Sequence, residues 1–389
     1  MVCTRNTVFD IIKGITIVLV VWGHTGGPFK GFIYLFHVAV FFLLSGYFIK
    51  DSYSESSENF LYFVSKKLKC LWVPFFTWGV ITLVLNNLFI KWGFYLSANE
   101  TIYSEGVIVG SNISYSEFFR TMFSMAIMGS DTALSAHTWF LSTLFYSLIL
   151  LAFIRLILYH LFNDELLRLL TLIFIGIILL IVVDVNHIEF LGLSRVLVAI
   201  DLLILGIILN KVNKIKFVFP IHKNIEKLVV VLFTACSLSI LGQSGYIELY
   251  DSRIESISFF LSASILGWFL VYSVSYFINQ VKVFRVVISF IGRESLWILI
   301  LHGLVFKIVN VILVLVFNWP DWYIAYSPYI LEAKSFWWLY LCSGVIVPIV
   351  IHVIWRLMDR GLKHILFFNI SMQTINNEKH ILVNFTKKK

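Results

Sequence analysis

The chain is poor in charge. Lys, Arg, Asp and Glu together make up 13% of its 389 residues, about half of what an ordinary soluble domain carries. With 59% of the residues apolar, there is too little polar surface to clothe a water-soluble fold, and that class is excluded. Cysteine is scarce as well. Cys3, Cys70, Cys236 and Cys342 stand far apart, which excludes a disulfide framework and a cysteine-based zinc site. No cluster with ligand spacing occurs elsewhere, so no metal is expected. Strict apolar/polar alternation is also missing, and with it the signature of a membrane β-barrel. The net charge of +8 is broken into short segments between apolar runs and never lines one exposed face, so nucleic acid is not an expected partner.

What is present is a series of continuous apolar runs. In a bilayer every backbone polar group must be satisfied internally, which makes each run a helix. At about 20 residues per crossing, the length admits on the order of ten. The runs fall near 11–28, 31–49, 71–92, 138–160, 166–184, 194–210, 227–242, 256–278, 295–317 and 336–358. The expected fold class is therefore an all-α integral membrane bundle of about ten transmembrane helices. Residues 1–364 form one transmembrane domain and 365–389 a basic tail. Arg5 followed by an apolar stretch superficially resembles a signal peptide, yet that stretch holds Lys13 and His24 and lacks a small-x-small cleavage site. It is expected to remain in the mature chain. Phe60 to Lys69 reads as an interfacial amphipathic helix, and Phe118 to Met128 as a short re-entrant or interfacial one.

Orientation follows from the short loops. Lys50, Lys66, Lys67 and Lys69, Arg155 and Arg168, Lys211 to Lys223, Lys282, Arg285 and Arg293, and Arg356, Arg360 and Lys363 all alternate to one side with Arg5. Lys30, Lys91, Arg120, Arg195, Arg253 and Lys334 are left for the other. An N-in, C-in topology in the lipid bilayer follows, with the basic side cytoplasmic.

Titratable groups inside spans cost several kcal/mol and so point to function. Lys13 and His24 lie eleven residues apart in the first run, on one helical face but roughly 16 Å apart in height. They cannot touch. One stripe thus joins two depths of the membrane, although Lys13 could also snorkel to headgroups and His24 could bond a neighbouring helix. The next run returns after Gly26-Gly27-Pro28 and carries His37 at a depth comparable to that of His24. His137 and Trp139 begin the fourth run, where an aromatic belt is also expected. His302 and Lys307 lie on the ninth, Lys307 without an obvious partner, and Arg195 and Asp201 on the sixth, where they could bind acceptor hydroxyls or pair with each other.

Taken in order, Asp10 through Lys13-Gly14 to Gly23-His24, Phe36-His37 to Phe41-Phe42, Ser45-Gly46-Tyr47, the basic cluster before Pro74, His137-Thr138-Trp139-Phe140-Leu141, and Ile291-Gly292-Arg293 to His302 resemble the membrane-bound acyltransferase type 3 family over nearly the whole chain. The likeness leans toward its fucose 4-O-acetylase-like branch. That resemblance implies transfer of an acyl group, usually acetyl, from cytoplasmic acyl-CoA to a hydroxyl of a cell-surface carbohydrate such as O-antigen, capsule or exopolysaccharide, at the inner (plasma) membrane.

On this reading His24 is the general base, since imidazole suits proton abstraction near neutrality, and His37 assists it. A histidyl-acyl relay is the alternative route. Lys13, Lys66 and Lys69 contact the coenzyme A phosphates as point charges, although the family more usually has arginines at the last two positions and lysine lacks their bidentate fork. His137, Trp139 and His302 face the acceptor, and acetyl-CoA is the expected donor. A transporter or flippase for a glycan or small acid is the competing class. Against it, no pair of Gly- or Pro-broken spans recurs at matching positions in two halves.

Overall fold

In the computed structural model, residues 6–97, 106–128, 132–186, 192–214, 224–251 and 253–359 are described. Arg5, Lys216, Lys223, Arg360, Lys363 and the 365–389 tail lie outside them, as do the side chains of Asp184, Lys214 and Arg253.

Twelve helices organise the described chain: α1 (Thr7–Gly23), α2 (His37–Tyr47), α3 (Ser57–Val84), α4 (Tyr115–Ala126), α5 (Trp139–Leu161), α6 (Glu165–Asn186), α7 (Leu193–Lys214), α8 (Asn224–Ser244), α9 (Ile257–Gln280), α10 (Lys282–Arg293), α11 (Ser295–Phe317) and α12 (337–359). Nine helical segments of the described residues are at least 18 residues long and apolar enough to cross a membrane. The helix α1, at 17 residues, lies at the short end of the spanning range. With it the number reaches the expected ten, and the protein is an all-α, multi-pass membrane protein. Extended structure in the described residues amounts to two short ladders, Leu96–Ser97 beside Val109–Gly110 and Ile247–Glu248 beside Arg253–Ile254.

Polar residues mark several helix starts. The Asn6 side chain accepts from Val8 N–H at 3.1 Å before α1. Ser56 and Ser256 cap α3 and α9 through Asn59 N–H and Phe259 N–H. Ser114 and Glu117 form a reciprocal capping box at α4. The Glu117 carboxyl is held below its usual range chiefly by the Ser114 hydroxyl and also by the Ser114 backbone N–H.

The helix α1 lies at the centre, packed against α2, α9, α10 and α11. Two crossings depend on glycine. A Cβ on Gly14 would strike the Ile288 carbonyl, and one on Gly292 would strike the backbone of Asp10 and Gly14, so α1 and α10 meet backbone to backbone. Gly46 of α2 and Gly206 of α7 likewise face the backbones of Leu203 and Leu43. Without a hydrophobic drive between helices in lipid, such close approach is the main source of association. At the rim, α8 leaves Leu228, Leu232, Phe233 and Ile240 exposed, a lipid-facing surface.

The basic turns gather at one end. Arg155 pairs with Asp51 and Lys211 with Glu165, while Glu294 takes His352 at 2.5 Å and Arg356 at 3.3 Å. Residues assigned to one side by the charge map therefore meet there.

Two elements differ from the sequence reading. The interfacial helix over Phe60 to Lys69 and the span beginning near 71 are one helix, α3, running through a π turn at Leu68–Trp72. Pro74 lacks the N–H needed to continue an α ladder, and the wider turn just before it accommodates the loss. The helix α10 reads as a basic loop in the sequence, because its charges mask its period. It is too short to cross, exposes Val283, Phe284 and Val287, and buries Ser289 and Gly292.

Candidate active site

Two cavities lie along α1 and α2, one near each end of the first helix. The first is a basic cavity of about 310 Å³ lined by Lys13 of α1, Leu44 and Ser45 of α2, Phe48 and Lys50 just beyond it, and Lys66 and Lys67 of α3. Lys13 and Lys66 are where the sequence reading put them together. Lys69 is not: it is exposed and outside the lining, because the π turn beginning at Leu68 takes it off the face that Lys66 occupies. Lys67, whose ammonium lies 5.3 Å from the Phe63 ring centre, and Lys50 complete the positive lining. Lys67 belongs to the basic cluster the sequence sets beside Lys13, while Lys50 stands out there only by its loop charge.

The second is a cavity of about 430 Å³ into which His24, His37, His137, Trp139 and His302 all converge, within the size range of small-molecule sites. All four expected histidines are there, drawn from four different helical segments. His24 follows α1, where the chain turns through Gly26 at φ +71°, a left-handed conformation that glycine adopts without strain. Its ring stacks on His302 with centroids 5.6 Å apart. His302 in turn meets His137 at 4.4 Å. Tyr34 meets both His24 and His37, with ring centroids 6.3 Å from His24 and 4.9 Å from His37.

Three of the four imidazoles are held by backbone carbonyls. His37 Nδ1–H donates to Ile33 O at 2.8 Å. His302 Nδ1–H donates to Ile298 O and Leu299 O, both at 3.0 Å. His137 Nε2–H donates to Ile300 O at 3.0 Å. A carbonyl only accepts, so each bond fixes a proton on one nitrogen and leaves the other as an acceptor. The ring nitrogens of His24 make no hydrogen bond among the described residues.

The outer rim is aromatic and charged. The Arg195 guanidinium lies 5.7 Å from the Trp139 ring centre and 5.0 Å from that of Tyr250, and Glu248 and Asp251 line the same cavity. Arg195 thus pairs with rings and not with Asp201, which is buried and has one carboxylate oxygen without a hydrogen-bond partner among the described residues. Tyr34, Glu248, Tyr250 and Asp251 were not singled out in the sequence. Tyr34 ends a five-residue helix, Lys30–Tyr34, and the other three stand in a two-residue strand and the turn after it, with no periodic pattern to flag them.

Lys307 proves to have partners. Its ammonium donates to Ile324 O, Ala325 O and Tyr326 O at 3.1, 2.9 and 2.7 Å. Asn310 supports the same carbonyls, and Tyr340 OH donates to Asn310 Oδ1 at 2.7 Å. This buried clamp pins the segment leading into Ser327 and Pro328, which line the histidine cavity. No three of His, Cys, Asp and Glu converge as metal ligands among the described residues.

A multi-pass bundle with a buried histidine cluster at one end and a lysine-lined cavity at the other is the architecture of a membrane enzyme. A family model described as an acyltransferase domain matches residues 6–357, and the chain belongs to that family, acyltransferase type 3. It is accordingly a membrane acyltransferase. No curated protein and no solved structure matches it.

Proposed function

We propose that the protein is an O-acyltransferase that moves an acyl group, acetyl in the first instance, from acyl-CoA at the basic end to a hydroxyl of a cell-surface glycan held in the histidine cavity. The basic end faces the cytoplasm, where the positive-inside rule puts it, in the plasma membrane. One observation carries the reading: a single helix, α1, delivers Lys13 to the basic cavity and His24 to the histidine cavity. Donor and acceptor then approach from opposite ends of one stripe.

Lys13, Lys66 and Lys67 meet the phosphates of coenzyme A, and the pantetheine arm carries the thioester along the stripe. Lys69 stands at the entrance as a secondary charge. His24, with both ring nitrogens open to substrate, takes the proton of the acceptor hydroxyl as its oxygen attacks the thioester carbonyl. The C–O bond forms, the tetrahedral oxyanion collapses, and the C–S bond breaks. The proton held on His24 passes to the departing thiolate, which leaves as coenzyme A thiol. Tyr34 is placed to donate to the oxyanion. His37, His137 and His302 present lone pairs, and lone pairs recognise hydroxyl donors, which supports a polyhydroxylated acceptor. Trp139 and Tyr250 offer faces on which a sugar ring stacks, with Glu248 and Asp251 for further hydroxyls.

The test supplies radiolabelled acetyl-CoA to native membranes carrying the full chain and follows label into the glycan fraction. Label is expected to vanish in His24→Ala and to persist in Ser239→Ala, a change on the lipid-facing helix α8. Equal incorporation with and without His24 would refute the assignment.

A further inference from the structure

Resting on the reading of the two cavities as donor and acceptor ends, we infer that Phe41 is the partition between them and sets the length of acyl group the enzyme accepts. Phe41 lines both cavities. The face of α2 that carries it is continuous: His37 and Val38 open on the histidine cavity, while Leu44, Ser45 and Phe48 open on the basic one. These positions recur at three- and four-residue steps, the spacing of one helical face. The two cavities are therefore stacked end to end along α2, and the ring they share lies at their junction.

The surroundings suit a movable ring. Phe42, the next residue, is buried to 1% exposure, whereas Phe41 is only partly buried because cavity lies on either side of it. Across the junction Phe140 of α5 meets Phe41 with ring centroids 5.5 Å apart. Phe140 is itself fixed, 9% exposed and edge-on to Phe42 at 4.9 Å. Phe140 is thus packed on both neighbouring rings, while Phe41 borders both cavities.

The basic cavity also changes character along its length. Toward the histidine cavity its lining is Leu44 and Phe41, so a charged donor would rest its phosphates at the lysine end and its acyl group against the Phe41 ring. Lys13 and His24 are separated by about three turns, roughly 16 Å, and the acyl carbon must pass Phe41 to come within reach of His24. A short acyl group passes beside the ring. A longer one needs the volume the ring occupies.

Native membranes carrying the full chain, given radiolabelled acetyl-, butyryl- or octanoyl-CoA, read this directly as the ratio of long to short acyl groups entering the glycan fraction. Phe41→Ala is expected to raise the octanoyl-to-acetyl ratio at least tenfold over wild type, and Phe41→Leu to raise it less. Phe140→Ala removes the opposing ring and is expected to move the ratio the same way, whereas Phe41→Trp lowers it.

Unchanged ratios in Phe41→Leu and Phe140→Ala overturn the partition even if Phe41→Ala is inactive, as long as wild type still transfers acetyl. Wild-type membranes that incorporate no more label from any donor than His24→Ala membranes overturn the transferase reading itself. The two failures are thereby distinguished.

Discussion

The two cavities are built by different means. Every residue lining the basic cavity falls between Lys13 and Lys67, so α1, α2, α3 and the connection between the last two make it. The histidine cavity draws on residues from Val20 to Pro328, and needs α1, α2, α5, α11 and the loops beyond α8 and α11 to be in place together. A site made from neighbours in the chain is set by local charge and helix phase. One made from distant segments exists only once the bundle has closed. Interactions that close the bundle therefore act on the histidine cavity far more than on the basic one.

The sharpest way to break that comparison is chemical. Loss of the imidazole in His24→Ala is expected to lower acyl transfer by about 10²- to 10⁴-fold while donor binding at the basic cavity persists, as measured by acetyl-CoA titration of the purified chain. Equal losses of binding and turnover would mean that the two ends are not separate.

The next effect is structural. Lys307→Met keeps the volume but strips three carbonyls of a charged donor, and is expected to cost about 3 kcal/mol, read as a lower unfolding midpoint in detergent. Its activity defect should appear in acceptor KM, because the segment leading to Ser327 and Pro328 is what loosens. A change in donor KM alone would contradict the clamp.

At the donor end, Lys13→Gln or Lys66→Gln is expected to raise the KM for acyl-CoA about tenfold, roughly 1.4 kcal/mol, with kcat held. Because these contacts lie near the entrance, added salt should reproduce part of the effect in wild type. Lys69→Gln, outside the cavity, is expected to change donor KM less than either. The smallest change is Trp139→Ala at the rim, about 1 kcal/mol in acceptor affinity, with no effect on the donor. A result in which Lys69 outweighs Lys66 would mean that the π turn does not set the phase assigned to it.

His24, His37 and His302 were legible because each is a costly group inside an apolar run, and a span tolerates such a group only with a purpose or a partner; His137, just ahead of its run, was marked by the family resemblance. Lys13 was legible for the same reason. The same rule left Lys307 unexplained, since its partners are backbone carbonyls, and carbonyls carry no sequence identity. Tyr34 was invisible because a tyrosine in a membrane protein is unremarkable at any depth. Lys67 and Lys69 could be told apart only by helix phase, and a π turn changes that phase without a residue that announces it, apart from Pro74 downstream.

By itself the sequence determined that the chain lives in a membrane as about ten helices, that its basic turns share one side, and that Lys13 and His24 sit at different depths on one stripe. Those follow from composition, run length and the geometry of a single helix, none of which depends on what the helix packs against. Only the tertiary structure decided that His24 meets His302, that Lys307 holds a loop, and that Phe41 stands between two cavities. The first joins helices far apart in the chain, the second rests on backbone carbonyls and the third on how neighbouring helices leave space between them, and a local pattern holds no record of any of these.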